Sequence, residues 1–181
     1  YDNYFDILKR STKTVNDLVT DLLNASNYTP PVLIEEDLGK IMDSTLKKAA
    51  DRIYLSGIQV KKGYSGNYPI LADKEKLEIA LLNLLVNASE AITPGQGSIE
   101  IEIEAENSDF LLTISDNGHG MDQEQIDHLF EAFFTKKDTG MGIGMSSVKN
   151  ILEDHDAQIT VSSKLDEGST FKIFFHNADL I

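Results

Sequence analysis

Asn83 and Asn87 stand four residues apart, so on a helix through positions 77–92 their carboxamides fall on one stripe. Two amide oxygens at that spacing can serve a hard cation such as Mg²⁺, which prefers oxygen ligands and keeps waters and substrate phosphates in its shell. Further on, Asp116-Asn117-Gly118-His119-Gly120-Met121 sets a carboxylate beside two glycines. The aspartate could accept a hydrogen bond from an exocyclic amine, and Gly118 and Gly120 would let backbone approach a flat ring. Gly140-Met141-Gly142-Ile143-Gly144-Met145 places glycines at every second position before a helical pattern, freeing N–H groups for phosphate oxygens. It is neither the G-x-G-x-x-G dinucleotide fingerprint nor a P-loop. Lys136 and Lys137 follow the aromatic segment Phe130-Glu131-Ala132-Phe133-Phe134-Thr135 and open the same loop. Each stretch alone also reads plainly, as surface asparagines, an ordinary turn, core aromatics or a flexible loop.

The elements around these residues follow from periodicity. Phe5, Leu8, Thr12, Val15, Val19, Leu22 and Ser26 alternate at three and four, a seam for a helix over residues 4–27 that pairs in a bundle or dimer, or packs on its own domain. The pattern starts without an N-cap, as expected of a helix continuing from elsewhere, and Pro30-Pro31 marks a linker. Glu35-Glu36-Asp37 is expected to open a helix whose apolar positions are Leu38, Ile41, Leu46, Ala49 and Ile53. Strands are expected at 58–64 and 68–71, then a helix from 74 to about 92 capped by Asp73. Residues 98–106 alternate isoleucine and glutamate, the mark of a half-buried strand, and 110–115 is its antiparallel neighbour. A short helix over 122–130, a helix over 143–154 and strands near 159–163 and 170–176 complete an α+β reading: a two-layer sandwich with one helical layer on one mixed sheet.

Composition narrows the partners. Apolar residues make up 41% of 181, enough for one core, and no run reaches the roughly 20 apolar residues of a membrane span. There is no cysteine, which removes disulfides and thiol catalysis and is compatible with a cytoplasmic location. Asp and Glu number 30 against 16 Lys and Arg, a formal charge of −14 that repels nucleic acid. A small polyanion is still accessible through helix N-termini, backbone N–H groups and a bridging cation.

Taken in order, Asn83-Leu84-Leu85-Val86-Asn87-Ala88, the Asp116 turn, residues 130–135, the 140–145 loop and Glu167-Gly168-Ser169-Thr170-Phe171 resemble five sequence boxes. They are those of the ATP-binding catalytic domain of sensor histidine kinases, in the superfamily that also holds gyrase B, the ninety-kilodalton heat-shock chaperones and mismatch-repair ATPases. The resemblance covers roughly residues 33–175, and the Asn-Ala-Ser-Glu-Ala-Ile version of the first box is similar to the nitrogen-regulation subgroup. It implies a Bergerat-type fold over residues 30–181, with residues 1–29 as the end of a second dimerisation helix. It implies ATP and Mg²⁺ as cofactors, Asn87 as the Mg²⁺ ligand with Asn83 in support, and Asp116 on the adenine amine. Gly118, Gly120, Phe133, Thr135, Ile143 and Met145 would line the nucleotide, and Thr170 would approach adenine from the strand side. Gly140, Gly142 and Gly144 would belong to a mobile lid, and Lys137 would touch phosphate.

The implied activity is that of a protein-histidine kinase: transfer of the ATP γ-phosphoryl to a histidine on a dimerisation helix, in a homodimer that also meets a response regulator receiver domain. None of His119, His128, His155 and His176 is followed by an acid and a proline, so the acceptor is expected elsewhere, and this piece is expected to make no membrane contact. Glu90 stands where many such kinases carry a basic residue that meets phosphate. Two alternatives remain: an ATPase of the same superfamily, which would carry a glutamate in place of Asn83, and an inactive nucleotide-binding or interaction module.

Overall fold

The computed structural model describes residues 29–106, 108–134 and 142–180. The helix expected over 4–27 therefore lies outside the described residues, as do Thr135, Lys136, Lys137, Gly140 and Met141.

Alternation builds the sheet. Strands β2 (Gln59–Gly63), β4 (Ser98–Glu106), β5 (Asp109–Asp116), β7 (Gly168–Phe175) and β6 (Gln158–Lys164) lie in that spatial order. The β2–β4 pair is parallel and the other three are antiparallel, giving the mixed sheet expected from the sequence. Ile99, Ile101 and Ile103 of β4 are buried, whereas Glu100, Glu102 and Glu104 face out. Across the ladder Ile101 pairs with Ile114 and Ile103 with Leu112, and these pair in turn with Phe171 and Ile173. One face of the sheet is thus a continuous apolar surface that needs a cover, since roughly 25 cal/mol is gained per Å² of apolar area removed from water.

The cover is three helices, α1 (Leu38–Leu55), α2 (Lys74–Ala91) and α4 (Gly144–Asp154), with α2 in contact with both others. Helix α2 is the most deeply set: Leu77, Ala80, Leu81 and Leu84 are fully buried. Truncating any of these leucines to alanine would cost roughly 2–5 kcal/mol. The N-caps are explicit. Asp37 accepts from the Lys40 N–H at 2.9 Å and Asp73 from the Lys76 N–H at 3.2 Å. Asp122 and Gln125 form a reciprocal capping box on the short helix α3 (Gln123–Asp127).

One element differs from expectation. Glu35 and Glu36 do not open a helix; they belong to strand β1 (Ile34–Asp37), which pairs antiparallel with β3 (Pro69–Ala72) in a separate two-stranded sheet. The reason is the cap: Asp37 has extended backbone and satisfies an orphan N–H, so the helix starts at Leu38 with no acid in its first turn. Among the described residues no helix is long and apolar enough to cross a membrane.

Candidate nucleotide site

The end of β5, the middle of α2 and the start of α4 enclose a cavity of about 410 Å³. Its size falls in the 300–1,000 Å³ range usual for small-molecule sites. Asn83, Asn87, Asp116, Gly120, Gly142, Ile143, Gly144 and Met145, eight of the residues singled out in the sequence, line it together.

Asp116 is the last residue of β5 and only 9% exposed. Its Oδ1 accepts the Gly118 N–H at 2.8 Å, so the turn folds back on its own carboxylate. Burial pushes the Asp116 carboxyl up from the ordinary aspartate range, opposed by backbone N–H groups of Gly118 and Ser169 and by the His119 charge. A buried carboxylate on a cavity wall is costly unless something there donates to it, which suits an amine-bearing ring. The turn is pinned on two sides. The His119 N–H donates to the Ala91 carbonyl at 2.9 Å, and the Met121 N–H to Ser163 Oγ at 2.8 Å. Ser163 in turn donates to the Gly168 carbonyl at 2.8 Å and lies 3.0 Å from Ser169 Oγ, tying the turn to the β6–β7 hairpin.

Asn83 and Asn87 line the cavity from α2, with Glu90 one turn further on. The Asn83 carboxamide points towards the beginning of α4: a Cβ on Gly144 would lie 3.9 Å from its Oδ1. Helix α4 has no side-chain N-cap, and the N-terminus of a helix favours an anion. Among the described residues no cluster of three or more His, Cys, Asp or Glu could hold a metal. Amide oxygens beside a helix N-terminus fit a cation that shares its shell with phosphates and waters, as Mg²⁺ does.

Three sequence expectations change in place. Thr170 is turned to the other face of the sheet, where its Oγ1 lies 3.0 Å from Ser115 Oγ; Ser169, paired with Asp116, faces the cavity instead. Strand alternation carries the reason, because Phe171, Ile173 and Phe175 share the inner face with residue 169. Phe133 is 74% exposed with φ +68 and does not line the cavity, and Phe134 does. Gly118 also stays out of the wall. A Cβ there would sit 2.5 Å from the Ala91 carbonyl oxygen, so the glycine serves the approach of the turn to α2, not to a ring. Gly120, at φ +64 and with its would-be Cβ 2.0 Å from the Lys164 carbonyl oxygen, does form wall.

Residues to which the sequence assigned no role complete the cavity: Val86, Ala91, His119, Met121, Gln125, Leu129 and Phe171 among them. Apart from His119 and Gln125 they are apolar, and gave no signal of a site because the same residue types build the core. The Phe133 N–H donates to the Gly142 carbonyl at 3.0 Å, which brings the aromatic segment against the glycine loop.

The family model described as histidine kinase-, DNA gyrase B-, and HSP90-like ATPase matches residues 72–179. Among curated proteins, the chain is 31% identical to sensor histidine kinase ZraS of Escherichia coli (strain K12) over 93% of its own length and 36% of that protein's. It is 28% identical to sporulation kinase E of Bacillus subtilis (strain 168), over 96% of this chain and 24% of that one. The chain thus spans about a third or less of these relatives. Among solved structures, full-length ShkA in complex with AMPPNP superposes with a TM-score of 0.80 at 23% identity, covering 98% of this chain and 39% of that one. Histidine kinase ThkA in complex with response regulator protein TrrA also gives 0.80, at 20% identity over 97% and 51%. Both share the fold.

Proposed function

This chain belongs to the histidine kinase-, DNA gyrase B-, and HSP90-like ATPase family, and we propose that its cavity holds Mg-ATP as the catalytic site of a two-component sensor histidine kinase. The observation that carries the reading is the placement of Asp116, a buried carboxylate across the same cavity from Asn83 and Asn87. Asp116 reads the adenine amine. Asn87, supported by Asn83, would ligate Mg²⁺, whose chemistry when bound is to neutralise charge on the phosphates. Met121, Leu129, Phe134, Ile143, Met145 and Phe171 exclude water around the base, and the first N–H groups of α4, which no side chain caps, receive phosphate oxygens.

In the complete protein the γ-phosphoryl goes to a histidine on a dimerisation helix. Residues 1–29 are the end of that domain's second helix and 30–181 the catalytic domain; Gly140, Gly142 and Gly144 belong to a lid over the phosphates, which Lys137 touches, and Thr135 binds the nucleotide. The partners are a second copy of the kinase and a response regulator, the kind of partner held by ThkA in its complex with TrrA. Asn83, where the ATPase reading requires a glutamate, favours transfer over hydrolysis, since no carboxylate at that position can activate water.

The test is incubation of this chain with γ-labelled ATP, Mg²⁺ and a separate histidine-bearing dimerisation domain. Acid-labile phosphate on the added domain is the expected result. Acid-stable phosphate on Ser or Thr, or phosphate release that needs no acceptor, would overturn it.

A further inference from the structure

The cavity has acidic walls and a cation held just outside them. Among the described residues no lysine or arginine lines it, whereas Asp116 and Glu90 do, in a chain of net charge −14. A polyphosphate entering such a site meets like charge. Arg52, in the last turn of α1, lies next to it: its Nη2 is 2.5 Å from Oε1 of the wall residue Glu90. Glu90 follows Asn87 by three positions on α2, so both belong to one face of that helix.

Stability alone is a poor explanation of the pair. Its side chains are 42% and 37% exposed, and exposed ion pairs contribute roughly 0–1 kcal/mol. Chemistry offers a better one. A guanidinium has five N–H donors in a planar fork that matches phosphate oxygens, and the hydrogen bond to Glu90 Oε1 is made by one of its nitrogens, Nη2. Glu90, in turn, is neutralised by the cation it holds.

We propose that Arg52, reaching over from α1, is a phosphate-contacting residue of the nucleotide site and that Glu90 is the positioning residue that holds its guanidinium at the cavity rim. The inference rests on the reading of the cavity as the Mg-ATP site. It assigns the phosphate-side cation to a different helix from the one that carries the asparagines, and it gives the wall glutamate a role consistent with an anionic ligand.

Calorimetric titration of this chain with Mg-ATP, Mg-ADP and adenosine tests it. Arg52→Met is expected to weaken Mg-ATP about tenfold or more, the scale of one hydrogen bond to a charged group, and Mg-ADP by less, while adenosine changes by under about twofold, as expected of a base and ribose that Arg52 does not touch. Glu90→Gln is expected to weaken Mg-ATP in the wild-type background and to weaken it no further when Arg52 is already methionine, the non-additivity of two residues acting through one contact. Unchanged Mg-ATP affinity in Arg52→Met, or an equal loss for adenosine, overturns the assignment of Arg52. Tighter Mg-ATP binding in Glu90→Gln overturns the positioning role, since it would make Glu90 a repulsive charge and nothing more. A wild-type chain that binds no Mg-ATP removes the nucleotide reading itself, and this inference with it; a wild-type chain that binds while Arg52→Met binds equally removes the inference alone.

Discussion

Replacing Asp116 with asparagine exchanges one carboxylate oxygen for an amide NH₂ at the floor of the cavity and separates recognition of the base from everything else. The Gly118 N–H lies 2.8 Å from Oδ1, so in the variant that position keeps an oxygen to satisfy the donor, and the amide nitrogen takes the place of Oδ2. A carboxylate that accepts from an adenine amine becomes a donor facing a donor. Hydrogen bonds to charged groups contribute roughly 1.5–3 kcal/mol, and 1.4 kcal/mol is a factor of ten, so the dissociation constant for ATP should rise roughly 10- to 150-fold. Inosine triphosphate, with a carbonyl where ATP has the amine, should lose far less or gain, because the new amide can donate to it. Titration calorimetry of both nucleotides against both proteins reads the ratio. Equal losses for the two would refute the reasoning, showing that Asp116 supports the turn and does not read the base. The pH dependence has a definite sign. Burial raises the Asp116 carboxyl above the usual aspartate range, and the acceptor is its charged form, so ATP affinity should fall on acidification at a pH above that range, and the asparagine variant should lack this step.

Other consequences concern the frame. Lys48 Nζ lies 2.5 Å from Oε2 of Glu78, whose side chain is 5% exposed. Burial is the largest single influence and pushes the Glu78 carboxyl up, but Lys48, together with Ser44 and the Lys74 charge, outweighs it and holds the group below the usual value. That stability is present above the usual glutamate range and is lost as pH falls through the lowered value. Removing one partner of a buried pair costs roughly 3–5 kcal/mol; with Lys48 53% exposed, Lys48→Met should cost roughly half of that. The loss should shrink in mild acid and be recovered when Glu78→Gln is added, as followed by urea unfolding. Gly168 has φ +97, and a Cβ there would sit 2.0 Å from the Asp116 carbonyl oxygen. Gly168→Ala should therefore lower the melting temperature by roughly 5–15 °C, from a loss of about 2–4 kcal/mol, and weaken ATP binding through displacement of Asp116. Thr170→Val should leave ATP affinity within about twofold, since the hydroxyl faces Ser115 on the far side of the sheet. Ser169→Ala should lower it, and the reverse pattern would place the wrong face of β7 on the nucleotide.

The order and chemistry of the boxes were legible before any coordinates. A carboxylate ahead of two glycines, amides at four-residue spacing and alternating glycines before a helix are local statements, and local rules of periodicity and capping located them. The Ile/Glu alternation of β4 likewise named the buried face of the sheet, and Asp73 announced a helix start because capping needs only neighbours three residues away. What stayed out of reach depended on contacts between segments far apart in the chain. Glu35 and Glu36 became strand because β3 was there to pair with them. Gly118 serves α2, Ser169 faces the cavity in place of Thr170, and Phe134 in place of Phe133, because packing decides which side of a turn or strand meets the ligand. Arg52 and Glu90, 38 positions apart, meet only where α1 crosses α2. A sequence records the donors and acceptors a site can use; the side each one faces is set by burial of the apolar surface behind it, which is a property of the whole fold.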